Sequence, residues 1–187
     1  MVQLGHEKIV VDNYVAEVLI SAERLQARLV ELGAQISTDY AGLDLVLVCI
    51  LKGGVLFLTD LMRQLAIPHE IDFLSVMSYG SGARQSSGAV RIQMDLATNI
   101  AGRDVLIVED IIDSGRTLEY IVNMLGARAP ASLKICTLLD KVERREVEVP
   151  LAYVGFQIPD KFVFGYGLDL DEKYRNLPFI GVIKGIR

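Results

Sequence analysis

Three acidic side chains and a short hydroxyl-containing turn lie close together between Val105 and Leu118, in the sequence VLIVEDIIDSGRTL. Glu109 and Asp110 follow four apolar residues, Asp113 comes next, and residues 114–117 lead into a helix-like pattern. The apolar run predicts a buried strand, and a turn between a strand and a helix offers backbone N–H groups and the positive end of the helix dipole. Such a turn suits a phosphate, whereas the acids suit sugar hydroxyls, a metal ion or a proton. The stretch therefore predicts a ligand that carries both a phosphate and a sugar.

Two simpler interpretations compete with this prediction. Buried strands often end in a solvated acidic turn, and one Glu-Asp pair does not distinguish such a turn from a ligand site. An apolar strand that ends in an acid also occurs in nucleotide triphosphatases, but those proteins need a GxxxxGK[ST] loop, and the sequence contains none. The complete run of acids, hydroxyls and glycine favours the ligand site.

The length and composition predict a globular chain with one domain over residues 1–187. Of these residues 51% are hydrophobic, which is enough to bury a substantial core. The net charge of −5 argues against a nucleic acid or an anionic membrane as a partner. No apolar run reaches the length of a membrane span, and the first residues lack the apolar segment of a signal peptide. We therefore expect a cytoplasmic protein.

The cysteines and histidines do not have the spacing of metal ligands. Cys49 and Cys136 lie inside apolar runs, which predicts two small buried side chains in a reducing compartment. His6 and His69 are far from each other and from the cysteines in sequence. The cysteines and histidines therefore give no indication of a metal site.

The spacing of apolar residues outlines the elements that must position the acids. Helical spacing predicts helices over 15–32, with Gly33 as the stop, over 55–65 and over 116–125. Apolar runs and alternation predict strands at 45–50, 71–77, 90–94, 105–108, 132–139, 151–156, 162–165 and 179–183. Strands that alternate with helices imply a mainly parallel sheet. Residues 78–89 are rich in glycine and serine and predict a mobile loop between two strands of a ribbon.

Five motifs give the chain a family resemblance. The stretch 105–118 resembles the phosphoribosyl pyrophosphate (PRPP) signature of the type I phosphoribosyltransferases. Four further motifs resemble the 6-oxopurine branch of that family, hypoxanthine-guanine phosphoribosyltransferase in its compact bacterial form. They are LKGG at 51–54, SYG at 78–80, LLDK at 138–141 and VGFQIPDKFVFGYGLDLDEKYRNLP at 154–178. The resemblance implies a mainly parallel central sheet flanked by helices, with a small hood and a flexible loop over the active site. It also implies Mg²⁺-dependent transfer of phosphoribosyl from PRPP to hypoxanthine or guanine, giving IMP or GMP and pyrophosphate in purine salvage.

The resemblance implies roles for the residues of the signature. Glu109 and Asp110 bind the ribose hydroxyls, directly or through the metal ion, and Asp113 accepts the proton from the purine N7. The 5′-phosphate is bound by the loop Asp113, Ser114, Gly115, Arg116 and Thr117. The Arg116 side chain has two open interpretations, a phosphate contact or a solvated residue in the first helical turn.

The resemblance also implies which residues bind the base. Lys141 resembles the lysine that donates to the exocyclic oxygen of a 6-oxopurine, Phe162 the aromatic that stacks on the purine, and Val163 a residue whose backbone meets the base edge. Taken alone, Lys141 could be a surface charge beside its acidic neighbours, and Phe162 could belong to the core.

The other motif residues resemble those that bind the pyrophosphate and a metal ion or form the loop over the site. Lys52, Gly53 and Arg175 resemble pyrophosphate contacts, and the peptide before this lysine is often cis in the family. Asp169 resembles the carboxylate that holds a second Mg²⁺. Ser78 and Tyr79 resemble the loop residues that close over the reacting centre; these two complete the set of expected site residues.

Two other functions stay open beside this one. A xanthine-preferring enzyme would share the motifs, although backbone carbonyls near C2 of the base, as this family has, should repel the oxygen of xanthine. A regulator with the same fold that binds nucleic acid would need a basic face or an added domain. The family resemblance implies a homodimer or homotetramer.

Overall fold

A computed structural model describes residues 14–78 and 90–184. The strands are β1 (Val15–Ile20), β2 (Leu45–Leu51), β3 (Glu70–Ser78), β4 (Val90–Met94), β5 (Asp104–Ile112), β6 (Ser132–Asp140), β7 (Leu151–Gln157), β8 (Val163–Phe164) and β9 (Ile180–Ile183). The helices are α1 (Ala22–Asp39), α2 (Val55–Gln64) and α3 (Arg116–Gly126), with a 3₁₀ turn at Val142–Arg144.

Six strands form the central sheet in the order β4-β3-β2-β5-β6-β7. All pairs are parallel except β3 with β4, the antiparallel ribbon that the sequence predicted on either side of the glycine- and serine-rich segment. The segment itself, residues 79–89, lies outside the described residues. The mainly parallel α/β sheet is therefore confirmed.

Both faces of the two central strands are buried, which explains their continuous apolar runs. One face of β2 packs with α1 and α2, and the opposite face packs with α3. Residues Val46 and Val48 face α3, whereas Leu47 and Cys49 lie on the other side. Cys49 and Cys136 are both buried and unpaired, as predicted. No helix in the described ranges has the length and apolar character needed to cross a membrane.

Strands β1, β9 and β8 form a separate antiparallel sheet, the hood. The prediction of one helix over 15–32 is therefore wrong for residues 15–20. Val15, Val18 and Leu19 fit helical spacing, but they form a strand that pairs with β9 through an irregular register. The helix begins after Ser21, whose side chain accepts a hydrogen bond from the N–H of Arg24 at 3.4 Å. A serine N-cap is the signal that separates the two elements.

Gly33 does not end α1, which continues to Asp39. The glycine is buried where α1 crosses the end of α2. A Cβ atom at position 33 would lie 2.4 Å from the Cβ of Gln64 and 2.8 Å from its carbonyl oxygen. The absence of a side chain thus allows close helix packing, which local sequence spacing does not distinguish from a helix stop.

Replacing Gly33 with alanine should destabilise the fold, although alanine is the better helix former by about 1 kcal/mol. The new methyl group would meet the backbone of Gln64, and relieving such overlap costs about 1–3 kcal/mol. We expect the midpoint of urea unfolding to fall. Gly126→Ala is the matched control, because Gly126 also lies in a helix but a Cβ there meets no atom within 4 Å. Increased stability of Gly33→Ala would contradict this account.

Candidate active site

Several of the predicted site residues lie at the carboxyl edge of the central sheet. Lys52 follows β2, Glu109 and Asp110 lie in the last part of β5, and Lys141 follows β6. The parallel register pairs Cys49 with Val108 and Glu109 with Thr137, so these three strands end side by side. Open α/β sheets bind ligands at this edge.

The two adjacent acids are held largely away from water. Oε2 of Glu109 is buried and makes no hydrogen bond within the described part of the chain. Burial, and then the charge of Asp110, raise the pKa of Glu109 well above its usual range. Burial also raises the pKa of Asp110 to about 6, against the opposing effects of its backbone hydrogen bonds and of Arg175. This pair favours a ligand that donates hydrogen bonds or carries positive charge.

Asp110 packs directly against the turn that follows β2. A Cβ atom on Gly53 would lie 1.5 Å from Oδ2 of Asp110, so no other residue fits at position 53 without moving the carboxylate. Oδ1 of Asp110 accepts a hydrogen bond from the N–H of Ile111 at 2.8 Å. The preceding Leu51–Lys52 peptide is cis, as the family resemblance implied.

Four charged side chains form a network above this turn. Nζ of Lys52 lies 2.8 Å from Oε2 of Glu172, and Nη2 of Arg175 lies 3.2 Å from the same oxygen. Arg175 also contacts Oδ1 of Asp169 at 2.8 Å and donates to the carbonyl of Gly167 at 2.8 Å. The three predicted residues Lys52, Asp169 and Arg175 are thus brought together, with Glu172 between them.

The loop after β5 turns sharply into α3. Gly115 has φ +84 and precedes the first helical residue, Arg116. The carbonyl of Ser114 accepts hydrogen bonds from the N–H groups of Glu146 at 3.0 Å and Val147 at 3.2 Å. Nε of Arg116 donates to Glu146 at 2.5 Å. In this structure the Arg116 side chain is therefore paired with an acid rather than simply solvated, while Thr117 is half-buried beside it.

Lys141 is not a surface charge, because only 7% of it is exposed. Its Nζ lies 3.5 Å from Oδ1 of Asp113 and 3.5 Å from Oδ1 of Asp160. Phe162, in contrast, is 49% exposed and does not belong to the core, while Val163 is buried in β8. The Lys141 ammonium is thus buried beside two carboxylates, and the Phe162 ring is exposed rather than packed in the core.

Sequence reasoning missed the charged side chains that pair with the predicted residues: Glu146, Glu172, Arg144 and Asp160. The run ERRE at 143–146 has the composition of surface charge and gives no sign of a site by itself. Its position directly after the LLDK motif was the available signal. Ser78 ends β3 at the same edge of the sheet, whereas Tyr79 lies outside the described residues.

No three His, Cys, Asp or Glu side chains converge into a metal site among residues 14–78 and 90–184. Glu109 and Asp110 are adjacent, and the charge of Asp169 adds to the raised pKa of Asp110. The protein therefore offers a few carboxylate oxygens, and a metal ion would need further oxygens from its ligand.

Comparisons with known proteins found similar sequences and structures. A model of the phosphoribosyl transferase domain matches residues 20–173. Hypoxanthine phosphoribosyltransferase of Salmonella typhimurium is 51% identical over 173 residues, covering 91% of this chain and 97% of that protein. Hypoxanthine-guanine phosphoribosyltransferase of Mycobacterium tuberculosis is 51% identical over 175 residues, covering 90% and 86%. A crystal structure of a Staphylococcus aureus hypoxanthine phosphoribosyltransferase, 46% identical, matches with a TM-score of 0.89 and covers 98% of this chain and 96% of that chain.

Asp110→Asn should stabilise the protein in buffer without divalent ions at alkaline pH. Asp110 has an ordinary pKa of 3.8 and a folded pKa of about 6, so the folded state loses stability as the pH rises through this window. The amide removes that loss and retains an acceptor for the N–H of Ile111. We expect a gain of about 1–2 kcal/mol at pH 8 and almost none at pH 4, measured by urea unfolding.

The control for Asp110→Asn is Glu148→Gln, which neutralises an exposed carboxylate. This change should leave the free energy of unfolding nearly unchanged at both pH values. A loss of stability of Asp110→Asn at pH 8 would show that the Asp110 charge is stabilised in the folded protein rather than strained.

Proposed function

Because this chain belongs to the phosphoribosyl transferase domain family, and within it to the hypoxanthine-guanine phosphoribosyltransferases, we propose that its site joins hypoxanthine or guanine to the phosphoribosyl group of PRPP. These enzymes are pentosyltransferases of purine salvage. The observation that carries the proposal is the buried Lys141, whose ammonium lies 3.5 Å from Asp113 beside the loop that begins α3. A donor for the base and an acceptor for its proton thus stand together next to an anion-binding turn.

The loop from Asp113 to Thr117 is proposed to bind the 5′-phosphate. Its support is the sharp turn at Gly115, which leads directly into the N-terminus of α3, where backbone N–H groups and the helix dipole favour an anion. Val147 and Glu146 fix the loop through the Ser114 carbonyl, so the phosphate site is held by two segments. The hydroxyls of Ser114 and Thr117 can donate further hydrogen bonds.

Glu109 and Asp110 are proposed to bind the ribose hydroxyls, and, together with Asp169, to hold Mg²⁺. The unpartnered oxygen of Glu109 and the raised pKa values of both acids fit a ligand that supplies donors or positive charge. Mg²⁺ is commonly held by one or two carboxylates, substrate phosphates and water, which matches the small number of protein oxygens. When bound, the ion would stabilise the negative charge of the leaving pyrophosphate.

Lys52, Gly53 and Arg175 are proposed to bind the pyrophosphate. Lys52 and Arg175 share the Glu172 carboxylate above the Gly53 turn, and both have exposed or partly exposed side chains. A pyrophosphate carries more charge than a carboxylate and offers oxygens that match the planar fork of arginine. It can therefore replace Glu172 as the partner of both cations.

The base is proposed to lie between Lys141, Phe162 and Val163. Lys141 has donors only, so it fits the exocyclic oxygen at C6 of hypoxanthine or guanine and meets another donor at C6 of adenine. The exposed Phe162 ring offers a face for stacking, and Val163 offers backbone groups to the base edge. These contacts select the 6-oxopurines as a class.

Asp113 is proposed to accept the proton during transfer. N9 of the base forms a bond to C1′ of the ribose while the bond from C1′ to the pyrophosphate oxygen breaks, and pyrophosphate leaves with the electron pair. The proton on N7 passes to the Asp113 carboxylate. Ser78 and Tyr79 are proposed to close over the centre and exclude water.

Three further properties are proposed, the first and last from the sequence and the second from the family resemblance. The chain acts as one domain over residues 1–187, it assembles as a homodimer or homotetramer, and it works in the cytoplasm. None of these properties alters the chemistry proposed for the site.

The test is an assay of the full chain with PRPP and four purines. We expect turnover of hypoxanthine and guanine, little of xanthine, and negligible turnover of adenine; a chelator should abolish activity, and Mg²⁺ should restore it. Lys141→Ala should weaken the use of hypoxanthine and guanine together. Adenine turnover equal to that of hypoxanthine would contradict the assignment to 6-oxopurines. Full activity in the presence of the chelator would contradict the proposed role of Mg²⁺.

Asp113→Asn should reduce kcat about 10²- to 10⁴-fold, the usual effect of losing a general base. PRPP binding should change far less, because the backbone N–H groups of the loop remain. Glu109→Gln is the comparison variant and should chiefly weaken PRPP binding. Single-turnover rates and PRPP affinities separate the two effects. A wild-type rate for Asp113→Asn would mean that the proton leaves by another route.

A further inference from the structure

The Asp113 carboxylate is contacted by two cations at the same oxygen. Nζ of Lys141 lies 3.5 Å from Oδ1, and Nε of Arg144 lies 3.4 Å from Oδ1. The Asp113 side chain is 51% exposed, so its carboxylate is contacted at one oxygen and still accessible to a ligand.

Arg144 is itself held on the side away from Asp113. Its Nη1 lies 3.2 Å from Oδ2 and 3.4 Å from Oδ1 of Asp160. Its backbone is fixed by the 3₁₀ turn, in which the N–H of Arg144 donates to the carbonyl of Lys141 at 3.0 Å. The planar guanidinium thus spans two carboxylates, which the single ammonium of a lysine does with less defined geometry.

From these contacts we infer that Arg144 is a positioning residue: it holds the Asp113 carboxylate in the orientation that accepts the proton of the base, and Asp160 holds Arg144. This inference rests on the proposed function. Lys141 cannot do the same work throughout, because its ammonium must turn to the exocyclic oxygen when the base binds. Arg144 then remains the one cation of the pair that still orients Asp113.

The effect of Arg144 should appear in the rate and not in the stability. Arg144 and Asp160 are each 44% exposed, and Asp113 is more exposed still. Ion pairs between such side chains stabilise a fold little, since water and salt screen them. A misdirected reacting group, in contrast, can lower a rate by one to two orders of magnitude.

The test is the single-turnover rate of Arg144→Gln with saturating PRPP and hypoxanthine. We expect a decrease of about 10-fold, with the KM for PRPP changed less than about twofold and the melting temperature unchanged. Arg144→Lys should recover only part of the rate, because it keeps the cation but not the planar group that spans two carboxylates. Asp160→Asn should also lower the rate, and the double variant Arg144→Gln/Asp160→Asn should be no slower than Arg144→Gln, since the two act in series.

Two controls make the inference specific. Glu143→Gln removes an exposed charge from the same 3₁₀ turn and should leave the rate unchanged. In an Asp113→Asn background, adding Arg144→Gln should cause no further decrease, because its target is gone. A wild-type rate for Arg144→Gln, or an equal decrease in both backgrounds, would overturn the inference. A wild-type chain inactive on every purine would instead overturn the proposed function.

Discussion

The contact between Gly53 and Asp110 is the constraint on which the site depends. Strands β2 and β5 run parallel and in register, so the turn after β2 meets the end of β5, and the space between them leaves no room for a Cβ atom. The segment between β8 and β9 packs against the same turn, because a Cβ atom on Gly167 would lie 2.1 Å from the carbonyl oxygen of Gly53. The glycines at positions 53 and 167 thus allow the proposed pyrophosphate turn, Asp110 and the segment that carries Arg175 to pack closely together.

The same constraint explains why the acids are costly to the free protein. Asp110 packs against the Gly53 turn, and burial raises the pKa of both Asp110 and Glu109. A pair of buried carboxylates is unfavourable unless a ligand supplies donors or positive charge. The proposed ribose hydroxyls and metal ion would supply them. Perturbed carboxylates of this kind are typical of functional sites.

Local sequence was sufficient for the central sheet and insufficient for the hood. The runs of β2 and β5 are apolar throughout because both faces are covered, and no helical pattern competes with them. Residues 15–20 have apolar side chains at spacings that fit either a helix or an edge strand, and only pairing with β9, more than 150 residues away, selects the strand. Gly33 is similar, since its role depends on Gln64 of another helix.

Sequence reasoning likewise predicted the site residues that are close together in the chain, but not their partners from distant segments. The signature residues are close together in sequence, so their motif alone predicts that they form one group. Their partners come from segments distant in sequence: Glu172 for Lys52, Asp160 for Lys141 and Glu146 for Arg116. Each of these partners is an ordinary surface acid by sequence, and only the meeting of strand ends makes it part of the site.

These acids give the ligand-free site a common electrostatic design. The proposed ligand-binding cations Lys52, Lys141 and Arg175 are each paired with a carboxylate in this structure. Lys52 and Glu172 are mostly exposed, so their pair contributes little stability and costs little to open. Phosphate oxygens carry greater charge and can replace a carboxylate as the partner of these cations. The acids thus hold the cations in place, but weakly enough that a phosphorylated ligand can displace the acids.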